Sequence, residues 1–441
     1  MIKKIKTSLK NINYKLFIAL IVLALCPTIY TTLRVFLIGQ LPNEWSYSIA
    51  GQLSWINLLY EILNEAIILP LFFFIGQANK DKDELINKIK TGLLITFAIY
   101  MVLSAFLILN TENLLLFMAT DINIVYSSSQ YIKIESIANI FVILTQFLLV
   151  VLVSLNKSKY LYILTATRLI LCLFSDMFLV SSLPFSLNIG INGIGYSNIV
   201  VNGILLLISI RLISKEGINL LRNSKLNFNW LKDFVKIGAI SGLESFIRNI
   251  AYMLMIARMV NVVGEQGTYW VANNFIWGWL LLPVIQLGEL IKQEISLDSK
   301  NIQRNSIGYF VITFFIVLSW IITIPLWKPF MIYVLGFNDV IKLFNLVLLL
   351  MGFYIFYAFQ NIFDAIFYGF GKTNYMLFES VVTNSIYYGT AFILYLTGAW
   401  IPTLTGIAIM FGLGNIFDSI VSFGAYIYLL KKNQINIFCI K

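Results

Sequence analysis

Tyr354, Tyr357, Asn361, Asp364 and Tyr368 follow one another in steps of 3, 4, 3 and 4. On a helix this spacing gathers phenols, an amide and a carboxylate into one stripe. Asn361 and Asp364 offer hard oxygen ligands that suit Na+, and a carboxylate in a low dielectric equally serves as a proton carrier. Two readings stay open for the stripe: the lining of a cavity, or a seam between helices in which Asp364 pairs with an arginine. A second polar face comes from Asn57, Glu61, Asn64 and Glu65. Two carboxylates so close do not both stay ionised cheaply, and Arg34 on the preceding apolar segment is the natural counter-ion. Glu244 lies four residues before Arg248, the favourable order for a helical ion pair. For these charged residues a structural pairing and a contact with substrate or ion are both open. Arg168 and Asp176 share a face two turns apart and are secondary, while Glu289, Glu379 and Asp418 read as packing or water-reaching polar groups.

The residues that are missing narrow the chemistry. The chain has no histidine, which removes the usual general base and the commonest metal ligand. No pairing of nucleophile and base and no metal-ligand cluster stands out, so an enzyme is not expected. Gly371-Lys-Thr373 resembles the end of a nucleotide-binding loop, but Ile366 holds the place of the required upstream glycine. ATP is therefore not the expected fuel. No cofactor is expected beyond Na+ or H+ as a coupling ion. Cys26, Cys172 and Cys439 form no disulfide framework and read as small apolar residues.

The elements that position these groups must be membrane helices. Of the 441 residues 59% are hydrophobic and 12% charged, and the mean hydropathy is +0.85, values that belong to a chain solvated largely by lipid. Apolar runs near the twenty residues needed to cross about 30 Å of hydrocarbon recur along the chain. Lipid offers the backbone no hydrogen-bond partner, so the spans are helices, and the fold class is all-α integral membrane. Twelve spans are expected, at 16–39, 47–77, 91–110, 131–155, 161–181, 191–213, 231–262, 268–292, 306–327, 343–369, 375–397 and 402–430. Most of the 31 lysines and arginines fall in alternate connections (1–15, 80–90, 157–159, 211–236, 292–304, 372 and 431–441), whereas the intervening ones carry Glu44, Glu112, Asp121, Glu265 and Asp339. Basic residues are retained on the cytoplasmic side, so both termini are expected in the cytoplasm of a multi-pass plasma-membrane protein.

The net charge of +10 is spread over short loops beside the membrane, which points to lipid headgroups as partner and away from nucleic acid. Lysine-rich residues 1–15 lead into a full-length span, so a cleavable signal peptide is not expected. Trp45, Trp270, Trp327 and Trp400 lie near outer span ends and read as an interfacial belt. Pro27 and Pro70 each remove a backbone hydrogen bond inside a span, and local bends are expected there.

The two halves share an order of features: Thr32-Leu-Arg-Val-Phe-Leu-Ile-Gly39, then Ile49-Ala50, against Ala257-Arg-Met-Val-Asn-Val-Val-Gly264, then Val271-Ala272. Arg34 and Arg258 take corresponding places. This is the mark of a transporter built from repeats. It divides the chain into a six-helix lobe at 1–213, a cytoplasmic connector at 214–230 and a second six-helix lobe at 231–441.

The order of segments resembles the multidrug and toxin extrusion (MATE) transporters, within the superfamily that also holds polysaccharide and lipid-precursor flippases. The resemblance covers nearly the whole chain. It rests on Val35-Phe-Leu-Ile-Gly39, Phe74-Ile-Gly-Gln-Ala78, Leu187-Asn-Ile-Gly-Ile-Asn-Gly-Ile-Gly195, Lys236-Ile-Gly-Ala-Ile-Ser-Gly-Leu-Glu244, and Gln360-Asn-Ile-Phe-Asp-Ala365 with Gly369-Phe-Gly-Lys-Thr373. Each motif is short and degenerate, and their joint order carries the match. The resemblance implies a cavity between two lobes, alternating access, and efflux of small organic or amphipathic compounds against inward Na+ or H+, by a monomer. It implies a coupling role for Asp364 and a gating bend at Pro27. Two departures bear on the substrate: the family's common acid in the first span falls on Arg34, and the acid often found along the seventh falls on Arg248. A flippase for a lipid-linked saccharide or another anionic lipid is the alternative, since Arg34, Arg168, Arg248 and Arg258 would make a cationic cavity if they faced it unpaired.

Overall fold

The computed structural model describes residues 2–78, 81–155, 157, 159–220 and 226–437. Cys439 lies outside them, as do Lys80, Arg222, Lys225 and Lys441 of the basic connections. The described residues are helical almost throughout, as lipid solvation requires of a chain this apolar.

A short α1 (Ile2–Asn11) is followed by α2 (Tyr14–Gly39), α3 (Ser46–Ala78), α4 (Lys82–Phe117), α5 (Ile122–Ser154), α6 (Lys159–Leu179) and α7 (Asn192–Lys215). After the connector come α8 (Leu231–Tyr252) and α9 (Arg258–Val262), joined through a π-helical turn at Met253–Ala257. Next are α10 (Gln266–Phe275), a π-helical turn at Ile276–Leu280, and α11 (Leu282–Leu297). The chain continues with α12 (Asn301–Tyr333), α13 (Val340–Gly369), α14 (Asn374–Val382), a third π-helical segment at Thr383–Tyr388, α15 (Gly389–Leu396) and α16 (Leu404–Lys432). Among the described residues, 8 helices are long and apolar enough to cross a membrane, or 9 if the bent pair Gln266–Leu280 and Leu282–Leu297 is one span.

Several helices outrun their apolar cores. The stretch expected at 91–110 is the middle of α4, and that at 131–155 is the latter part of α5. The extra turns are polar yet capped: Asp81 accepts from the Asp83 amide at 2.9 Å, and Asp121 accepts from the Asn123 amide at 2.9 Å. Hydropathy reports the hydrocarbon-matched part of a helix, and caps set where the helix starts. The break within the span expected at 268–292 has a similar local cause. Pro283 sits in the first turn of α11 and offers no amide to the turn before it, and the chain bends there by 51°. The helices holding Pro27 and Pro70 run on through both prolines, with the Thr31 hydroxyl bonding to the Pro27 carbonyl at 2.9 Å. Trp327, expected in an interfacial belt, is instead 3% exposed and packs against Phe275 and Phe344.

Contacts gather the chain into two compact units, one formed by Met1–Phe36 with Thr268–Lys441, the other by Leu37–Gly267. This grouping differs from the division at the connector, because the first span joins the later helices and the seventh joins the earlier ones. In the first unit the Trp279 indole donates to the Thr32 hydroxyl at 3.0 Å, and Thr28 lies against Gly278. In the second, α8 presents Gly238 and Gly242 to α3 so closely that a Cβ at Gly238 would collide with the Ala66 carbonyl. Small residues four apart are the usual means by which membrane helices bring their backbones together.

Candidate functional site

The glycine contact between α3 and α8 brings together side chains nearly 190 positions apart in sequence. One turn beyond it, the Arg248 guanidinium meets three carboxylates: Glu65 at 2.9 Å, Glu61 at 3.3 Å and Glu244 at 3.3 Å. Arg248 is therefore a counter-ion of both α3 glutamates. The Arg34 guanidinium lies over the Tyr30 ring at 4.4 Å. The pair of Glu244 and Arg248 read from their spacing is present as one arm of this larger cluster. Arg248 also donates to the Asn249 side chain at 3.3 Å, and Asn249 donates to Ser245 and to the Leu58 carbonyl, extending the network into the packed face. With one cation against three carboxylates, the cluster has a formal negative charge unless protons or cations offset it. Such a surplus is costly at membrane depth.

The stripe on α13 is divided among several partners within the first unit. Asp364 accepts from the Ser422 hydroxyl of α16 at 3.0 Å. One turn earlier the Gln360 amide donates to Asp418 at 2.6 Å, the Thr383 hydroxyl of the π-helical segment donates to the other Asp418 oxygen at 2.6 Å, and Ser419 donates to Gln360 at 2.9 Å. Two polar rungs thus join α13 to α16. Asn361 donates to the Val284 carbonyl at 2.9 Å, with Gly288 beneath it leaving no room for a Cβ. Tyr354 is buried and takes a hydrogen bond from the Trp277 indole at 3.1 Å, while Trp277 and Tyr357 pack with centroids 5.6 Å apart. The Lys292 ammonium lies 4.8 Å from the Tyr368 ring centroid and 2.7 Å from Glu289.

The remaining candidates are dispersed. Pro27 is on an exposed face of α2, Arg168 is exposed, and Asp176, on the same helix as Arg168, is buried. Glu379 is buried on α14. The Arg258 Nε donates to the Phe117 carbonyl at 2.9 Å. Among the described residues no group of three or more acidic or cysteine side chains has the geometry to hold a metal ion.

Two polar centres were not anticipated. Glu294 is 8% exposed and accepts from the Asn13 amide at 2.8 Å, from Asn305 at 2.9 Å and from the Tyr309 hydroxyl at 2.5 Å. At the far end of the second unit, Asn261 donates to Gln52 at 3.1 Å and to the Met118 carbonyl at 2.9 Å, and Gln266 donates to the Gly51 carbonyl at 2.8 Å. A small-x-x-x-small pattern at Gly238 and Gly242 was available as a signal for the Arg248 cluster, because it predicts which face of α8 is packed. Glu294 carries no such local signal, since its partners come from the turn between α1 and α2 and from the first turns of α12.

The described residues form an all-helical architecture with 8 or 9 helices long and apolar enough to cross a membrane. The chain has the fold of the MATE transporters of the MOP superfamily. It superposes on the inward-facing conformation of a multidrug resistance MATE family transporter with a TM-score of 0.75, 16% identity and 98% of each chain covered. The outward-facing conformation of such a transporter gives 0.66 at 16% identity, over 97% of this chain and 98% of the other. A MOP superfamily transporter from Pyrococcus furiosus, described as having a binding pocket of reverse polarity, gives 0.67 at 15% identity with 98% of each chain covered. No family model and no curated protein matches the sequence.

Proposed function

We propose that this chain is a secondary active transporter that exports organic compounds by alternating access, driven by inward flow of Na+ or H+. The observation that carries the reading is Asp364, a carboxylate on the apolar helix α13 that accepts from the Ser422 hydroxyl of α16. A group in that setting changes its interaction with α16 when it gains a proton or a cation, which is what coupling requires. Asn361 supplies a neighbouring oxygen one turn away on the same stripe, and Tyr354, Tyr357 and Tyr368 continue it as substrate-facing candidates. Support also comes from the fold, which solved transporters adopt in both inward- and outward-facing states. In this reading Glu61, Glu65, Glu244 and Arg248 act as a charged group of the other unit, and Pro27 is the gating bend of α2. The flippase alternative requires cationic side chains open to an anionic headgroup. Its case is weaker because Arg248 is met by three glutamates and Arg258 is engaged with the Phe117 carbonyl.

The test is transport of candidate dyes into inverted vesicles under imposed Na+ or H+ gradients, with Asp364→Asn beside the parent. Gradient-driven accumulation is expected to fall to background in the variant while dye binding to the purified protein persists. Unchanged gradient-driven transport would exclude Asp364 as the coupling group.

A further inference from the structure

The basic face of α1 is used by none of the groups above. α1 reads IKKIKTSLKN and contains no acid. Lys4, Ser8 and the following Ile12, at four-residue steps, are buried, and Leu9 packs on the same core. The Ser8 hydroxyl oxygen accepts from the Gly308 amide at 2.8 Å, and the Lys4 ammonium donates to the Gln303 carbonyl at 3.2 Å. A Cβ at Gly308 would crowd Ile12 and Ser8, so this face is seated directly on the α12 backbone. Lys3, Lys6 and Lys10 are exposed on the opposite arc, and Lys300 and Arg304 are exposed at the start of α12.

What lies beside this arc is set by α2. It begins at Tyr14, only two residues after Ile12 begins the turn out of α1, and is long and apolar enough to cross a membrane. Its Tyr14, Ile18 and Val22 are exposed by 42%, 59% and 57% at four-residue steps, an apolar stripe that belongs in hydrocarbon. A helix just ahead of such a stripe sits at headgroup depth, where lysine stems lie along apolar surface and the ammonium groups reach phosphate.

We propose that α1 is a binding surface for anionic phospholipid, with Lys3, Lys6 and Lys10 on the headgroup phosphate and the acyl chains along Tyr14, Ile18 and Val22. Charge complementarity selects this occupant: a face with three cations and no acid, rigidly mounted at the end of a lipid-facing stripe, fits a phosphate-bearing lipid better than a zwitterionic one. The inference requires only that α2 crosses the membrane, so it stands or falls separately from the coupling role of Asp364.

The experiment places the same photoreactive acyl chain on phosphatidylglycerol or on phosphatidylcholine, at equal mole fraction, in nanodiscs of the full-length protein. Each lysine at a charged surface is worth about fivefold in local enrichment, so labelling of residues 2–22 by phosphatidylglycerol is expected to exceed that by phosphatidylcholine at least about fivefold. The exposed Phe174 face of α6 serves as internal control and should label alike with both lipids. The excess is expected to vanish in K3Q/K6Q/K10Q, to persist in K3R/K6R/K10R, and to survive inorganic phosphate at millimolar concentration. Equal labelling by the two lipids, an undiminished excess in the glutamine variant, or displacement by inorganic phosphate would each overturn the proposal, the last by making this a site for the free anion.

Discussion

Replacing Arg248 with methionine keeps a long unbranched side chain on α8 and removes the one cation that three carboxylates share. The side chains are 43% exposed for Arg248, 40% for Glu61, 25% for Glu65 and 16% for Glu244. Losing one partner of a fully buried pair costs about 3–5 kcal/mol, and breaking an exposed pair about 0.2–1 kcal/mol. Glu65 and Glu244 are the better-buried partners and set the scale, so a loss of about 2 kcal/mol follows, roughly 30-fold in the unfolding equilibrium. Much of that loss is repulsion among the glutamates left behind. Glu65→Gln, mildly destabilising in the parent, should therefore stabilise the Arg248→Met background and recover about half of the loss. Reversible unfolding in mixed micelles of dodecyl maltoside and SDS, run on the four proteins of this double-mutant cycle, measures both values. An Arg248→Met variant within about 0.5 kcal/mol of the parent, or simple additivity of the two substitutions, would refute the electrostatic account of the cluster.

Other outcomes follow from the same geometry. A Cβ at Gly242 would fall 2.8 Å from the Ala66 Cβ, whereas one at Gly238 would meet the Ala66 backbone; each alanine substitution should cost about 1–3 kcal/mol, and Ala66→Gly should restore Gly242→Ala but not Gly238→Ala in the same unfolding assay. Glu294→Ala leaves the Asn13 amide, the Asn305 amide and the Tyr309 hydroxyl without their acceptor. At roughly 1–3 kcal/mol per orphaned buried donor, trypsin should cut at Lys10 and Lys15 several-fold faster, while Glu294→Gln, which keeps an acceptor oxygen, should be affected less. In the polar connections, the Lys157 ammonium hydrogen-bonds Glu216 at 2.8 Å and holds its carboxyl below the ordinary range, and Glu216 in turn holds Lys157 above its own. The link is therefore complete from about pH 5 to pH 10, weakens as pH falls through the lowered Glu216 value, and weakens again as pH rises through the raised Lys157 value. Amide exchange at Glu216 and Gly217, corrected for its intrinsic pH dependence, should show this plateau, and Lys157→Gln should abolish its alkaline limb while the Tyr160 hydroxyl, 3.1 Å from Glu216, keeps part of the acidic one.

The sequence by itself determined the solvent and the secondary structure. Apolar runs leave the backbone no partner but itself, so α2, α6, α7, α13 and α16 end within a few residues of the limits their composition suggests. It determined equally that Asp364, Glu61, Glu65, Glu244 and Arg248 merit scrutiny, because charge in such segments is rare and costly. The pairing of Glu244 with Arg248 was legible because both partners lie one turn apart on one helix. What only the tertiary structure decided is partnership across helices. That Arg248 meets Glu61 and Glu65 depends on how closely α3 and α8 approach, which is fixed by Gly238, Gly242 and Ala66 and not by any charge. That α2 joins the later helices depends on Thr28 and Thr32 finding Gly278 and Trp279. Burial of Glu294 needs three helix ends to meet. Periodicity along a chain is a one-dimensional record of which face is apolar. The identity of the opposing face is a property of packing, and packing in lipid is decided by shape and hydrogen bonds, with no hydrophobic pattern to betray it.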